Sequence, residues 1–283
     1  MNELILGVDG GNTLGKTVGA FGTDIYKTAI CDWFERDVEE TFDNDDMEFE
    51  IDGRKGFAGT IAKYEDVYGG SGMFGETKFH EDNKIRLLLS IFRYIHKYSP
   101  SVNSVRIVTG QPIKQHKQIE KQGIIDMMKG PHRVKVNGFT RDIEVKDVRV
   151  TPEGSAAFWS NPRMGMFRII DCGSGTINAA TIIDKKFINS SSDTFNFGTE
   201  TIKNKNDMSG MARGIIRNTS SLKWQKNDVI WICGGIAEQI TPFIQQHYPN
   251  AVLLTPNLSG VMRLKPVFSN ACGYYDLAKR VFK

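Results

Sequence analysis

The distribution of apolar residues predicts alternating strands and helices along the whole chain. Apolar residues recur at three- and four-residue spacing from Glu81 to Tyr98, which predicts an amphipathic helix that ends before Pro100. Alternation of this kind is typical of the α/β class. Short apolar runs bounded by turn residues predict strands at 4–9, 16–21, 105–108, 167–170, 177–183 and 229–233.

Weaker signals complete the predicted element order. Thr151-Pro152-Glu153 has the form of a helix start, with threonine as the N-cap and proline at the first helical position. Residues 53–79 show no periodicity and are expected to be irregular with short strands. Further helices are predicted at 114–129, from Gly235 to about Tyr248 with a bend at Pro242, and at 270–282, with two strands within 132–150.

Composition and charge exclude several classes of protein. The 283 residues carry 36 lysines and arginines against 33 aspartates and glutamates, a balance too small for a dedicated nucleic-acid binder. No apolar run reaches the roughly 20 residues of a membrane span, and no basic segment precedes the first apolar run. We therefore expect a cytoplasmic protein without membrane association, with one large domain or two of ordinary size.

Cysteines and clustered charges refine this picture. The four cysteines form no CxxC pair, so we expect them to be reduced, mostly buried neighbours rather than a disulfide framework or a zinc site. Residues 31–52 hold eleven acidic side chains and one arginine, which predicts a solvated acidic face. Residues 114–149 and 185–226 are net basic. The acidic segment of one copy could therefore attract a basic segment of another, or the three segments could be ordinary solvated faces.

The first glycine turn has two possible structural interpretations, a P-loop and a hairpin. Residues 10–17 (GGNTLGKT) match the P-loop pattern G-x-x-x-x-G-K-[ST], in which a helix begins at the lysine. The sequence after Thr17 contains β-branched and aromatic residues and two glycines, each of which costs about 1 kcal/mol in a helix. A hairpin of two antiparallel strands is therefore favoured, and a P-loop ATPase is kept as an alternative.

Two later turns resemble the first one. Asp171, Gly173, Ser174, Gly175 and Thr176 lie between two predicted strands, as Asp9, Gly11 and Lys16 do. Gly234 and Gly235 lie between a strand and a helix, where a backbone without Cβ atoms lets a flat ligand approach closely. Turns of this kind can hold phosphate through their amides.

In these turns the chain resembles the actin/Hsp70/hexokinase ATPase superfamily, and within it the plasmid-segregation actins of the ParM kind. The resemblance extends through Val108–Ala157, with its TGQP and PEG motifs, and includes the NACGY sequence at 270–274. It covers about two thirds of the chain and excludes residues 31–79 and 184–226. It implies an actin-like (ribonuclease H-like) two-domain α/β ATPase fold with the nucleotide in the interdomain cleft. Domain I would comprise 1–150 plus 268–283, with 31–80 as the smaller subdomain IB, and domain II would comprise 151–267.

The resemblance also implies roles for individual residues. Asp9 and Asp171 would hold Mg²⁺, mostly through water, and Glu153 would orient the attacking water. Lys16 would neutralise phosphate charge. The phosphates would be bound by Gly11, Asn12, Thr13, Gly173, Ser174, Gly175 and Thr176, and the adenosine by Gly234, Gly235 and Glu238.

A structural alternative stands beside several of these roles. The two aspartates could merely shape their turns. Lys16 could be an exposed strand lysine, while Glu153 and Glu238 could simply be favourable in the first turn of a helix.

The implied function is that of an ATP-dependent filament that segregates plasmid DNA. ATP is the expected nucleotide, with GTP left open, and the partners would be further copies of the chain and a DNA-binding adaptor, without direct sequence-specific DNA contact. Only about sixty residues separate Asp171 from Gly234, so subdomain IIB is expected to be absent or vestigial, as in the family member AlfA. The alternative is a small-molecule kinase of the same superfamily, of the amino-sugar or pantothenate type, although the zinc-cysteine cluster of one kinase group is missing.

Overall fold

The computed structural model describes residues 3–38, 40–66, 77–258, 260 and 262–282. Within these ranges one sheet contains nine strands: β1 Leu4–Gly10, β2 Leu14–Gly19, β3 Gly22–Lys27, β4 Ile30–Asp32, β5 Met47–Ile51, β6 Arg54–Ala58, β7 Ser104–Gln111, β8 Gly130–Val136 and β9 Phe139–Pro152. Their order across the sheet is β3-β2-β1-β7-β9-β8-β5-β6-β4. The predicted strands in this half of the chain are confirmed.

A second sheet follows in the chain. Its described strands are β10 Met166–Cys172, β11 Ile177–Ile183, β12 Lys186–Phe187, β13 Asp193–Phe195, β14 Ile230–Gly234 and β15 Ala251–Leu253. They are ordered β12-β11-β10-β14-β15, with β13 paired to β11. A small separate hairpin is formed by β16 Asn257–Leu258 and β17 Met262–Arg263.

Six α-helices lie in the described part of the chain: α1 Thr60–Glu65, α2 Glu81–Tyr98, α3 Gln118–Met128, α4 Met208–Ser221, α5 Ala237–Gln245 and α6 Ser269–Val281. The amphipathic pattern of α2 is confirmed, since its apolar face is buried in the core of the first sheet. The two helices predicted near the C-terminal end are also present, although α5 ends three residues before Tyr248. None of the helices in the described ranges is long and apolar enough to cross a membrane.

The two sheets contain the same local arrangement twice. β1 pairs antiparallel with β2 and parallel with β7, and β10 pairs antiparallel with β11 and parallel with β14. The register places Asp9 opposite Lys16 and Asp171 opposite Asn178. Lys16 therefore lies within a strand and no helix begins there, so the P-loop alternative is wrong.

The alternation of side chains in β1 explains why helices cover both faces of the first sheet. Leu4, Leu6 and Val8 are buried in the cluster that contains α2, whereas Ile5 packs with residues of α6 on the opposite face. Helix α6 also contacts β7 and β14, one strand from each sheet. The C-terminal helix therefore lies where the two sheets meet.

The predicted helix start at Thr151-Pro152-Glu153 is wrong. Thr151 and Pro152 are the last residues of β9, because the parallel pairing with β7 continues to Gln111 opposite Pro152. The Glu153 amide then donates to the Gln111 carbonyl at 2.9 Å and keeps the backbone extended. Only a short 3₁₀ helix, Ala156–Ser160, follows.

Three other segments differ from the predictions. Within 53–79, expected to be irregular with short strands, Thr60–Glu65 forms helix α1, and residues 67–76 lie outside the described ranges. The basic helix begins at Gln118 rather than 114, after a 3₁₀ turn at Ile113–Gln115. The acidic segment 31–52 is not entirely solvated, because β5 buries three alternate apolar side chains while its glutamates point outwards. Because buried apolar residues alternate with exposed acidic ones, this acidic segment still contributes a strand to the sheet.

The interval between the two later glycine turns contains no separate subdomain. Every residue from 172 to 234 is described, and all the strands in this interval, β11 to β14, pair within the second sheet. Helix α4 packs on α5 beside the same sheet. The absence of a subdomain IIB, expected from the length of the interval, is confirmed.

Candidate functional site

A cleft of about 470 Å³ lies between the two sheets and is lined by all three glycine turns. It contains nearly every site residue predicted from the sequence: Asp9, Gly11, Asn12, Thr13, Lys16, Glu153, Asp171, Gly173, Ser174, Gly175, Thr176, Gly234 and Gly235. The exception is Glu238, which lies exposed in the first turn of α5 and does not line the cleft. For Glu238 the structure agrees with the helix-turn alternative.

Asp9 is held by two ammonium groups. It is buried at the end of β1, where Lys16 Nζ lies 2.7 Å from Oδ2 and Lys78 Nζ lies 3.6 Å from Oδ1. Burial opposes ionisation, but the charges of Lys16 and Lys78 outweigh it and hold the pKa of Asp9 below its usual value. Lys16 is not an exposed strand lysine, since its side chain is only 11% exposed.

Asp171 has the opposite electrostatic balance. Burial, reinforced by the nearby carboxylate of Glu153, raises the pKa of Asp171 to about 6, although a hydrogen bond from Asn270 lowers it. The Asn270 amide donates to Asp171 Oδ2 at 2.8 Å. The two aspartates at equivalent turn positions therefore differ in their readiness to ionise, because an ammonium group contacts only Asp9 closely.

Glu153 lies beyond the end of β9 and faces the same cleft. Lys78 Nζ lies 2.6 Å from Oε1, and the Asn178 amide donates to Oε2 at 3.1 Å. The residue is 7% exposed and belongs to no helix, so the explanation of Glu153 by a helix dipole is wrong. A buried, oriented carboxylate of this kind can position a water molecule or accept its proton.

The two glycines of the third turn differ in the space around them. Gly234 has φ of +97°, and a Cβ there would lie 2.3 Å from the Cys172 carbonyl oxygen, so only glycine fits. A Cβ on Gly235 would have no heavy atom within 4 Å, because this residue borders the open cleft. A flat group can therefore approach the backbone at Gly235.

Several cleft residues were not identified from the sequence. Lys78 falls in the stretch that showed no periodicity, and Asn178 and Asn270 lie within recognised elements but received no role. Asn196, Thr199 and Thr201 border the cleft near the third turn, and the Glu200 amide donates to the Ser174 carbonyl at 2.9 Å. These residues come from a segment without a recognisable motif, so only the tertiary structure identifies them.

A buried arginine supports the first turn from behind. Arg86, in α2, is 1% exposed and donates to Asn12 Oδ1 at 2.8 Å and to the Thr28 carbonyl at 3.2 Å. Helix α2 thereby fixes the side chain at the tip of the β1–β2 turn. The sequence did not predict this contact, because Arg86 and Asn12 lie 74 residues apart in the chain.

The donor set fits a nucleotide with magnesium. Among the described residues, no group of three or more His, Cys, Asp or Glu side chains is arranged to enclose a metal ion. Mg²⁺ does not require such a cage, because it keeps several waters and binds through one or two carboxylates and substrate phosphates. The buried carboxyl groups, the two turns with small polar side chains and the open backbone at Gly235 meet these requirements.

Comparisons with solved structures identify the fold. An AlfA filament bound to AMPPNP superposes with a TM-score of 0.77 at 18% identity, covering 99% of each chain. AlfA from a B. subtilis plasmid, also a filament structure, gives 0.77 at 19% identity over 95% of this chain and 97% of that one. A 15-stranded ParM filament from Clostridium botulinum gives 0.78 at 21% identity over 99% and 100%. These likenesses establish an actin-like fold.

Sequence comparison gives the family. No curated protein matches this chain. Residues 7–155 match the family described as the N-terminal domain of actin-like proteins. This match covers more than half of the 283 residues and includes the first glycine turn, the TGQP segment and Glu153. The chain therefore belongs to the actin-like protein family.

Proposed function

We propose that this chain binds ATP with Mg²⁺ in the cleft and assembles into filaments that segregate plasmid DNA. The observation that carries the proposal is the pairing of two equivalent hairpins, at Asp9 and Asp171, across a cleft that also contains Glu153. This arrangement occurs on a fold shared with AlfA and ParM filaments. The nucleotide would connect the two sheets, so its presence would favour one relative arrangement of them.

We propose the following roles for the residues of the cleft. Asp9 and Asp171 would hold Mg²⁺ through water, and Lys16 would bind phosphate. Bound Mg²⁺ would neutralise phosphate charge. Glu153 would orient the attacking water for ATP hydrolysis, and the turn at Gly234 and Gly235 would contact the adenosine, with the phosphates bound by residues 11–13 and 173–176.

The segment before α4 would replace part of the missing subdomain. Asn196, Thr199 and Thr201 line the same cleft as Ile236 of the third turn. The backbone of this segment is attached to the second phosphate-type turn through the Glu200–Ser174 hydrogen bond. We propose that these residues form one wall of the adenosine site.

The domain assignment made from the sequence is part of the proposal. The strands of the first sheet lie within residues 4–152 and those of the second within 166–253. Helix α6 packs mainly on the first sheet. These placements support domain I at 1–150 plus 268–283, with 31–80 as its smaller subdomain, and domain II at 151–267.

Charge complementarity between copies would contribute to assembly. The acidic surface at 31–52 is smaller than its sequence suggests, since Asp43, Asp45 and Asp46 bond to Lys27, Thr60 and nearby backbone amides. Its remaining exposed carboxylates could face the basic segments 114–149 or 185–226 of a neighbour in a head-to-tail contact. A DNA-binding adaptor would attach the filament to its plasmid.

Sedimentation tests the proposal. We expect the protein to pellet with ATP and Mg²⁺, to remain in the supernatant without nucleotide, and to form filaments visible by electron microscopy in the pelleted sample. Parallel samples with GTP decide the nucleotide preference, and a salt series tests the charged contact. A protein that stays in the supernatant at all salt and protein concentrations while phosphorylating an amino sugar or pantothenate would instead be a small-molecule kinase.

A further inference from the structure

Lys78 occupies a central position in the cleft that no motif explains. It lies two residues before His80, the N-cap of α2, and its side chain is 12% exposed. Its ammonium group lies 2.6 Å from Glu153 Oε1 and 3.6 Å from Asp9 Oδ1. One cation thus connects the end of β1 with the residue that follows β9.

The partners of Lys78 are fully engaged. Both oxygens of Asp9 face ammonium groups, since Oδ2 pairs with Lys16, and both oxygens of Glu153 have partners, since Oε2 accepts from Asn178. While Lys78 holds Oε1, it occupies one of the two acceptor sites of that oxygen, so fewer remain for a water molecule. An exchange of partners by Lys78 would therefore favour the function proposed for Glu153.

The backbone of Lys78 is fixed by the same residue that positions Glu153. Lys78 N donates to Gln111 Oε1 at 3.1 Å, and the Gln111 carbonyl accepts from Glu153 N at 2.9 Å. The Asn83 amide of α2 donates to the Lys78 carbonyl at 2.7 Å. A change of partner at the ammonium group can therefore occur by rotation of the lysine side chain while its backbone stays in place.

We propose that Lys78 distinguishes ATP from ADP by exchanging its ion pair with Glu153 for one with the terminal phosphate. This inference rests on the proposed nucleotide site. A terminal phosphate carries more negative charge than a carboxylate and presents several acceptor oxygens, so it competes for a buried ammonium group. ADP lacks the γ-phosphate, which is the terminal group of ATP, and with ADP bound Lys78 stays on Glu153.

The exchange has a thermodynamic consequence. A ligand shifts an equilibrium only by its differential affinity for the two states, so a lysine that contacts only the terminal phosphate strengthens ATP binding and leaves ADP binding nearly unchanged. It also frees Glu153 Oε1 when a triphosphate is present. Lys78 would thus couple the presence of substrate to the availability of the carboxylate that acts on water.

Nucleotide affinities measured by calorimetry test this inference. AMPPNP and ADP, each with Mg²⁺, are titrated into the full chain at concentrations below filament assembly, using wild type, Lys78→Met, Lys78→Gln and the control Lys84→Met. Lys84 lies six residues later, in α2, and pairs with Asp52 outside the cleft. We expect the ratio of ADP to AMPPNP dissociation constants to fall about tenfold in both Lys78 variants, with ADP affinity changed less than about twofold, and to be unchanged in Lys84→Met.

A second measurement does not depend on affinity. The side-chain ¹⁵Nζ chemical shift of Lys78 is expected to differ between the AMPPNP and ADP complexes of wild type, because its partner changes, whereas that of Lys84 is expected to be the same in both complexes. An unchanged ratio of dissociation constants in variants that melt cooperatively would overturn the role of Lys78, while nucleotide-dependent filaments would leave the proposed function standing. A wild-type chain that binds neither nucleotide would overturn both.

Discussion

The Asn270 amide donates a 2.8 Å hydrogen bond to Asp171 Oδ2, and its carbonyl oxygen accepts one of 3.1 Å from Gly154 N. Asn270 is the second residue of α6. One side chain of the C-terminal helix therefore joins Asp171 of the second sheet to the residue that follows Glu153. This contact links Asn270, the first residue of the NACGY sequence, directly to the second glycine turn.

Replacement of Asn270 by alanine tests that connection. Loss of a buried hydrogen bond to a carboxyl group is expected to lower the free energy of unfolding by about 1–3 kcal/mol. Affinity for a magnesium nucleotide should fall about tenfold, because Asp171 becomes harder to ionise. The control Asn250→Ala removes an exposed amide that bonds only to the Asn227 carbonyl, and should change stability by less than about 0.5 kcal/mol. Equal effects of the two substitutions would contradict the prediction.

The raised pKa of Asp171 predicts a dependence of stability on pH. The folded value of about 6 exceeds the usual 3.8, so the folded protein binds this proton more tightly than the unfolded chain does. The resulting stabilisation, up to about 3 kcal/mol, is complete below pH 4 and is lost as the pH rises through 6. Urea unfolding of wild type and Asp171→Asn from pH 4 to 8 isolates it. The stability of wild type relative to the variant should decrease with pH, and a constant difference would exclude the shift.

Substitution of Glu153 by glutamine should separate hydrolysis from binding. The amide keeps the size of the side chain but cannot act as a base, so phosphate release from ATP should slow by at least about 100-fold. Filaments should grow longer because the nucleotide remains uncleaved. Glu238→Gln serves as the control, since Glu238 is exposed and outside the cleft, and it should hydrolyse ATP at the wild-type rate. Unchanged phosphate release by Glu153→Gln would remove the catalytic role.

Adjacent glycines provide a matched pair of alanine substitutions. Gly234→Ala places a methyl group 2.3 Å from a backbone carbonyl at positive φ, and we expect it to destabilise the fold by about 3 kcal/mol or more. Gly235→Ala meets no atom within 4 Å, so the fold should lose less than about 1 kcal/mol. Only the second variant can report on the ligand, and its nucleotide affinity should fall if adenosine lies against this turn. Thermal melts followed by calorimetry distinguish the two effects.

The elements that could be predicted from the sequence have local signals. The hairpin at Asp9, the hairpin at Asp171 and helix α2 each have a periodicity or turn chemistry contained within about twenty residues. The helix predicted at Thr151 failed because a capping sequence was outweighed by pairing with β7, a strand about forty residues earlier in the chain. The conformation of that segment is therefore determined by nonlocal hydrogen bonds.

The unpredicted part of the site depends on the same kind of nonlocal contact. Lys78 reaches the cleft because its backbone bonds to Gln111, and Asn178 reaches Glu153 because the two sheets face each other. Neither residue has a pattern around it that sets it apart from a surface lysine or a strand asparagine. The motifs could identify the glycine turns. Lys78 and Asn178, which contact the buried carboxylate of Glu153 in the cleft, could be identified only from the tertiary structure.

The cleft contains three carboxyl groups and two ammonium groups that nearly neutralise one another before any ligand enters. These five groups together therefore contribute little net charge to the electrostatic steering of an incoming nucleotide. Association should be slow compared with electrostatically steered encounters and almost independent of ionic strength. Differences between nucleotides should then appear in how long each one stays bound.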